Sequence, residues 1–232
     1  MARAALRAGR APDAVTLLAV TKSVPVDSIK IAIEAGVSHL GENRVQEAEA
    51  KYARPLREGE AGYPPTADKL HRAGIVLHMI GTLQRNKVRR AVALFDWVQC
   101  VDRLELVDAL AGAVQAIRPD HPLPVLIQVN VTGEPTKAGI APQRLPVLAE
   151  AVGKHPQLRG MGLMTIARLG AGETELRRTF ATLRGLLEGL RGRYPGDWVH
   201  LSMGMTDDYE YAIEEGATIV RIGRAIFGER KA

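Results

Sequence analysis

A (β/α)8 barrel of the TIM type is the fold class this sequence predicts, on three observations. Eight short apolar runs recur along the 232 residues. The densest, LLAV at 17–20 and PVLIQVN at 124–130, read as strands covered on both faces. A helical pattern separates each run from the next, and this strict alternation is what parallel strands joined by crossover helices produce. No G-x-G-x-x-G follows the first run, which counts against dinucleotide binding and leaves an open doubly wound sheet as the second choice. The length fits one large domain, residues 1–232.

The elements follow in order. Residues 3–10 read as a short helix closed by Gly9, and strand one spans about 15–21. Pro25 and Asp27 open a helix over 29–35 that Gly36 stops. Strand two covers 37–40 and ends in Gly41-Glu42-Asn43; a polar helix follows over about 44–57. The stretch 59–74, with Gly62, Pro64 and Pro65, reads as a long surface loop, an insertion rather than a lid. Strand three is 75–80, a basic helix covers 85–94, and strand four is 97–101. Asp102 stands where it would cap a helix over 104–117. Strand five, 124–130, leads through the loop 132–139 to a helix over 142–153. Strand six is 158–164 and a long amphipathic helix covers 173–193. Strand seven is 198–201, a helix covers 206–215, and strand eight is 218–222.

At 46% hydrophobic the chain can bury a sizeable core, yet no apolar run approaches the ~20 residues of a membrane span. The N-terminal residues are too few and too polar for a signal peptide. Cys100 is the only cysteine, so no intrachain disulfide forms, which suits a reducing cytoplasm. A net charge of +5 favours anionic ligands without singling out nucleic acid, and aromatics at 4% leave few platforms for stacking bases.

In such a barrel the residues at the C-terminal strand ends rim one face, and that face hosts the active site. Here they are Lys22, Asn43, Gly81 with Gln84, Asn130, Met164 and Thr165, Ser202-Met203-Gly204, and Arg221 with Gly223. Closure makes strands one and eight neighbours, about 4.7–4.9 Å apart, so Lys22 and Arg221 come close. A desolvated lysine loses its proton readily and attacks a carbonyl to form a Schiff base; the plain alternative is that Lys22 marks where the strand meets water. The last two loops are glycine-rich, and phosphate sites in barrels commonly follow strands seven and eight. Thr206 opens a helix there and suits either a phosphate or an ordinary N-cap, roles that are compatible. Arg221 interrupts an apolar strand. It pairs with a buried carboxylate or hydrogen-bonds a ring nitrogen; since arginine keeps its proton, that nitrogen would stay unprotonated.

Two other features carry less. The run Arg85-Asn86-Lys87-Val88-Arg89-Arg90 reads as a solvated helix face, since no aromatics interleave with it. His78, inside strand three, reads as a satisfied core histidine. No Cys/His/Asp/Glu cluster has metal-ligand spacing, and there is no G-x-S-x-G elbow.

Taken together, AVTK ending at Lys22, GENRVQE at 41–47, IGTLQRNK at 80–87, GLMTI at 162–166 and the segment 201–228 resemble the pyridoxal phosphate homeostasis protein family. These are single-domain relatives of the alanine racemase barrel, pyridoxal phosphate fold type III, and the resemblance covers nearly the whole chain. It implies that Lys22 carries pyridoxal 5′-phosphate as an internal aldimine and that Arg221 faces the pyridine nitrogen. It implies that Thr206, with the backbone of Gly223 and Arg224, holds the phosphate, with Ser202 in the same site. Asn43 and Met164 would line the ring. The chain departs from the family in a shorter N-terminal helix, in Leu77 where an aromatic usually precedes His78, in the long 59–74 loop, and in Arg224 where a small hydroxyl residue is usual.

The function so implied is a non-catalytic, cytoplasmic, monomeric protein that binds and buffers the cofactor and delivers it to apo-enzymes. It engages no metal, membrane or nucleic acid. The competing reading is an amino-acid racemase on the same barrel. Racemisation needs a second acid/base on the opposite face, which the two-domain racemases draw from an additional domain. A nucleic-acid-binding barrel rests on charge alone.

Overall fold

The computed structural model describes residues 1–52 and 74–229. Eight parallel strands close into a barrel in sequence order, β8 pairing back onto β1. They are β1 (Thr16–Val20), β2 (His39–Glu42), β3 (Val76–Met79), β4 (Trp97–Val101), β5 (Leu123–Gln128), β6 (Leu158–Met164), β7 (His200–Ser202) and β8 (Ile219–Ile222). The predicted barrel is therefore the observed one, and the open sheet is not. The 59–74 loop, apart from Gly74, and the end of the 44–57 helix lie outside the described residues.

Side chains alternate between two cores, as they must along a strand. Leu18, Ile80, Leu126, Met161, Met164 and Ile219 fill the barrel interior, while Ala19, Leu40, Val98 and Val220 pack outward against the helices. Gly41 is an interior residue. A Cβ there would lie 2.3 Å from Leu18 Cδ2 and 2.9 Å from Ile80 Cδ1, so the strand runs through a glycine that reads in sequence as its end.

Strand two thus begins later than expected. Gly36 (φ +98°) closes the helix Val26–Glu34, and the Val37 N–H donates to Ala32 O at 3.0 Å. Val37 belongs to this helix ending, which satisfies carbonyls left open by the last turn. Strand seven is displaced too. Trp198 is buried outside the strand, its indole N–H donating to the carbonyls of Tyr194 and Pro195, and β7 starts at His200. Strand five stops at Gln128. Asn130 closes the following loop instead, its Nδ2 donating to Glu134 O and its Oδ1 accepting from Gly133 N.

Two caps also differ. The helix Leu104–Ile117 has Arg103 at its N-cap, and Asp102 pairs with the Arg103 guanidinium. The helix after β7 is Tyr209–Glu214, with Asp208 at the N-cap, so Thr206 does not open it. The reason is the Asp208 carboxylate, which accepts the Met205 N–H and folds residues 205–208 into a turn.

Candidate functional site

Lys22 follows β1 by two residues and continues the inward series Leu18, Val20. The β1–β8 register pairs Leu18 with Arg221 and Ala19 with Ile222, which sets Gly223 beside Val20. Lys22, Gly223 and Arg224 consequently line one cavity of about 380 Å³, with Val20, Ser28 and Phe227.

The turn that carries Lys22 is held from the outer side of the barrel. Thr21 points outward, and its Oγ1 donates to Glu42 Oε1 at 2.8 Å. Lys51 Nζ donates to Glu42 Oε1 at 2.9 Å, to Glu47 Oε1 at 2.7 Å and to the Thr21 carbonyl at 2.6 Å. Tyr52 OH adds a bond to Glu42 at 3.1 Å, and Glu47 accepts the Ser23 N–H. Ser23 sits at φ +58°, a conformation that costs a non-glycine residue about 1–2 kcal/mol and persists only where its surroundings enforce it. Burial pushes the Glu42 carboxyl up, against the pull of Lys51. Among the described residues its Oε2 has no hydrogen-bond partner.

Arg221 faces into the barrel two residues after Ile219. Its Nη1 donates to Ser202 Oγ and its Nη2 to the Thr165 carbonyl, both at 2.7 Å. Among the described residues no carboxylate forms a salt bridge with it, so the carboxylate-paired alternative does not hold. Burial lowers its pKa to about 10, with Asp208 pulling the other way, and the guanidinium remains charged at neutral pH.

The two glycine-rich loops meet above this point. Arg221 N donates to Gly204 O at 2.9 Å, and Arg224 pairs with Asp207, tying the β8 loop to the β7 loop. Gly204 is at φ +92°, and a Cβ there would lie 2.5 Å from Ala212 Cβ. Thr206 is half-buried in the turn between Met205 and Asp208.

Of the residues read from sequence, the structure unites Lys22, Gly223 and Arg224 on one cavity and bonds Arg221 to Ser202. Met164 is fully buried in the interior, in register with Ser202. Asn43 stands apart, lining a second cavity of about 330 Å³ with Arg44, Gly81, Gln84 and Lys87. His78 is the buried, bonded core histidine expected, and Arg90 of the basic run pairs with Glu49. Among the described residues no group of three His, Cys, Asp or Glu side chains could hold a metal ion, and no helix is long and apolar enough to cross a membrane. Sequence reading missed the Glu42–Glu47–Lys51–Tyr52 set. The one signal was the i,i+4 spacing of Glu47 and Lys51 in a helix otherwise read only as polar.

The class of barrel is given by its sequence match: residues 3–231 match the family described as alanine racemase, N-terminal domain. Alanine racemase of Bacillus anthracis shares the fold, with a TM-score of 0.63 at 19% identity over 95% of this chain and 53% of that one. Closer likenesses are matched along nearly their whole length. The chain is 44% identical over 230 residues to the pyridoxal phosphate homeostasis protein of Escherichia coli, covering 98% of this chain and 91% of that protein. It is 44% identical over 227 residues to the protein of the same name in Pseudomonas aeruginosa, covering 98% and 90%. PipY of Synechococcus elongatus superposes with a TM-score of 0.82 at 34% identity over 97% of this chain and 98% of that one. PipY has also been solved with pyridoxal phosphate bound, TM-score 0.77. The chain belongs to the pyridoxal phosphate homeostasis protein family.

Proposed function

We propose that this protein binds pyridoxal 5′-phosphate through Lys22, buffers it and hands it to apo-enzymes, without turning over amino acids itself. The carrying observation is the cavity that Lys22 shares with Gly223 and Arg224, close in sequence to a buried arginine that, among the described residues, has no carboxylate partner. The donor set fits the group: an amine for its aldehyde, a guanidinium for its ring nitrogen, and the first N–H groups after Gly223 with the Thr206 hydroxyl for its phosphate. Ser202 orients the guanidinium, and Met164, in register with Ser202, would flank the ring. When bound, the cofactor supplies an aldehyde that condenses with amines.

The carrier reading rests on Arg221. A guanidinium with a pKa of about 10 is a donor at neutral pH, so the ring nitrogen beside it stays unprotonated and withdraws electrons weakly. A cytoplasmic, monomeric protein is part of the same reading. Cys100 is consistent with it: a buried thiol, pushed up to about 12 by burial, is inert. Borohydride reduction of the cofactor-loaded protein followed by peptide mapping tests the assignment. The pyridoxyl group is expected on Lys22, and finding it mainly on Lys137 or Lys87 overturns the site.

A further inference from the structure

A line of side-chain hydrogen bonds crosses the barrel interior from Arg221 to the opposite end of the strands. Arg221 Nη1 donates to Ser202 Oγ, and Ser202 Oγ donates to Gln99 Oε1, both at 2.7 Å. Gln99 Nε2 lies 2.9 Å from His78 Nδ1, and His78 Nε2 lies 2.9 Å from His39 Nδ1. The five residues come from β8, β7, β4, β3 and β2. The first four are buried. His39 is half-buried and its ring lies against that of His78, which in turn meets Trp97, the first residue of β4. Barrel interiors are ordinarily filled by branched apolar side chains, and the cofactor site uses only the first two members of this line. Gln99 and His78 therefore stand in the core without a role.

The direction of the line is set at the arginine end. Arginine only donates, so Ser202 Oγ accepts from it. With Gln99 Oε1 towards Ser202, the serine proton has an acceptor and Gln99 Nε2 turns to His78 Nδ1. With the amide reversed, Gln99 would donate to Ser202 and the serine proton would lose its place in the line. Burial keeps His78 neutral, helped by the neighbouring His39 and His200, and a neutral imidazole has one accepting and one donating nitrogen. In the matching tautomer His78 accepts at Nδ1 from Gln99 and donates from Nε2 to His39, and this pair of bonds holds the Gln99 amide in that orientation.

We propose that Gln99 and His78 are positioning residues for Arg221. They fix the Ser202 hydroxyl so that its lone pairs, and not its proton, face the guanidinium. That setting aims Arg221 at the ring nitrogen of the cofactor. The inference rests on the pyridoxal phosphate reading above and extends it to two residues that touch no cofactor. Without Gln99 the hydroxyl rotates freely and its proton opposes the cation for part of the time. Without His78 the Gln99 amide turns over with the same result.

The test is titration of the purified protein with pyridoxal 5′-phosphate, reading the visible absorption band and the Kd together with the melting temperature. Gln99→Leu is expected to displace the band and weaken Kd about tenfold, the scale of one hydrogen bond to a charged group. His78→Leu should do the same to a smaller extent. His78→Gln, which keeps an acceptor and a donor, should restore the band. Val98→Ala, on the outer face of the same strand as Gln99, should lower the melting temperature and leave the band in place. A Gln99→Leu protein that melts lower but keeps the wild-type band and Kd overturns the proposal, and so does a His78→Gln that behaves like His78→Leu. Should Gln99→Leu fail to fold, the two His78 variants decide. A wild-type protein that gives no band overturns the cofactor reading itself, an outcome distinct from both.

Discussion

Lys51 Nζ lies 2.6 Å from the carbonyl oxygen of Thr21, the residue before Lys22. A buried ammonium thus reaches from one helix to the turn that presents the other lysine, while two carboxylates, Glu42 and Glu47, share its charge. The arrangement separates two tasks. Lys51 holds backbone, and Lys22 faces the cavity.

Removing Lys51 should be severe. Lys51→Met leaves Glu42 buried without its cation, which costs about 3–5 kcal/mol for a broken buried pair. Adding Glu42→Gln to that variant should recover part of the loss, because the uncompensated charge is gone. Urea unfolding of the two variants measures both, and a Lys51→Met loss below about 1 kcal/mol contradicts the clamp.

Acid should destabilise the fold through the interior histidines. Burial holds His78 well below its ordinary value and lowers His39 and His200 in the same direction. The unfolded chain then binds more protons than the folded one below about pH 6.5, so this stability is present above that pH and is lost as pH falls. For His78 the step from pH 6.5 to 5.5 is worth on the order of 1 kcal/mol. His78→Gln should flatten the dependence by that amount relative to wild type, and an unchanged slope would mean that His78 takes up its proton as readily in the folded protein as in the unfolded chain. The comparison within one background removes Glu42, whose raised pKa acts in the opposite sense.

Thr206 and Asp208 should separate phosphate binding from capping. Asp208→Ala removes the acceptor of the Met205 N–H and is expected to cost about 1 kcal/mol of stability. Thr206→Ala should leave the melting temperature nearly unchanged and weaken cofactor retention by one charged hydrogen bond, roughly 1.5–3 kcal/mol. Isothermal titration and thermal melts on both variants test this, and a Thr206→Ala protein with full affinity removes Thr206 from the site.

Arg221 should keep the loaded protein from exchanging substrate protons. Incubation with L- and D-amino acids in deuterated water, followed by NMR at the α-carbon, is expected to show exchange well below ~1 s⁻¹, the low end of ordinary enzymes. Exchange at or above that rate in the wild type, lost in Lys22→Ala, makes the protein a racemase-type enzyme.

Much of this was legible in the sequence, and what was legible was local or topological. Apolar runs and their spacing identify eight strands, because a strand buried on both faces needs apolar residues at both parities. Eight alternating units closing on themselves then bring Lys22 beside the end of the strand that carries Arg221, since closure makes the first and last strands neighbours. The turns after strands seven and eight followed from their glycines. Tertiary structure decided which residues face each other across the barrel and across its wall. The line from Arg221 through Ser202, Gln99 and His78 to His39 depends on the in-or-out parity of five strands, and one residue of register reverses it. Gly36, Gly41 and Trp198 shifted two of the strand boundaries on which that parity rests. The clamp behind Lys22 joins Thr21, Glu42, Glu47 and Lys51 only because β1 pairs with β2 and the next helix packs over both. A polar residue in a sequence shows neither its partner nor its depth, and burial, which only the closed barrel supplies, is what turns these side chains from surface groups into the supports of the site.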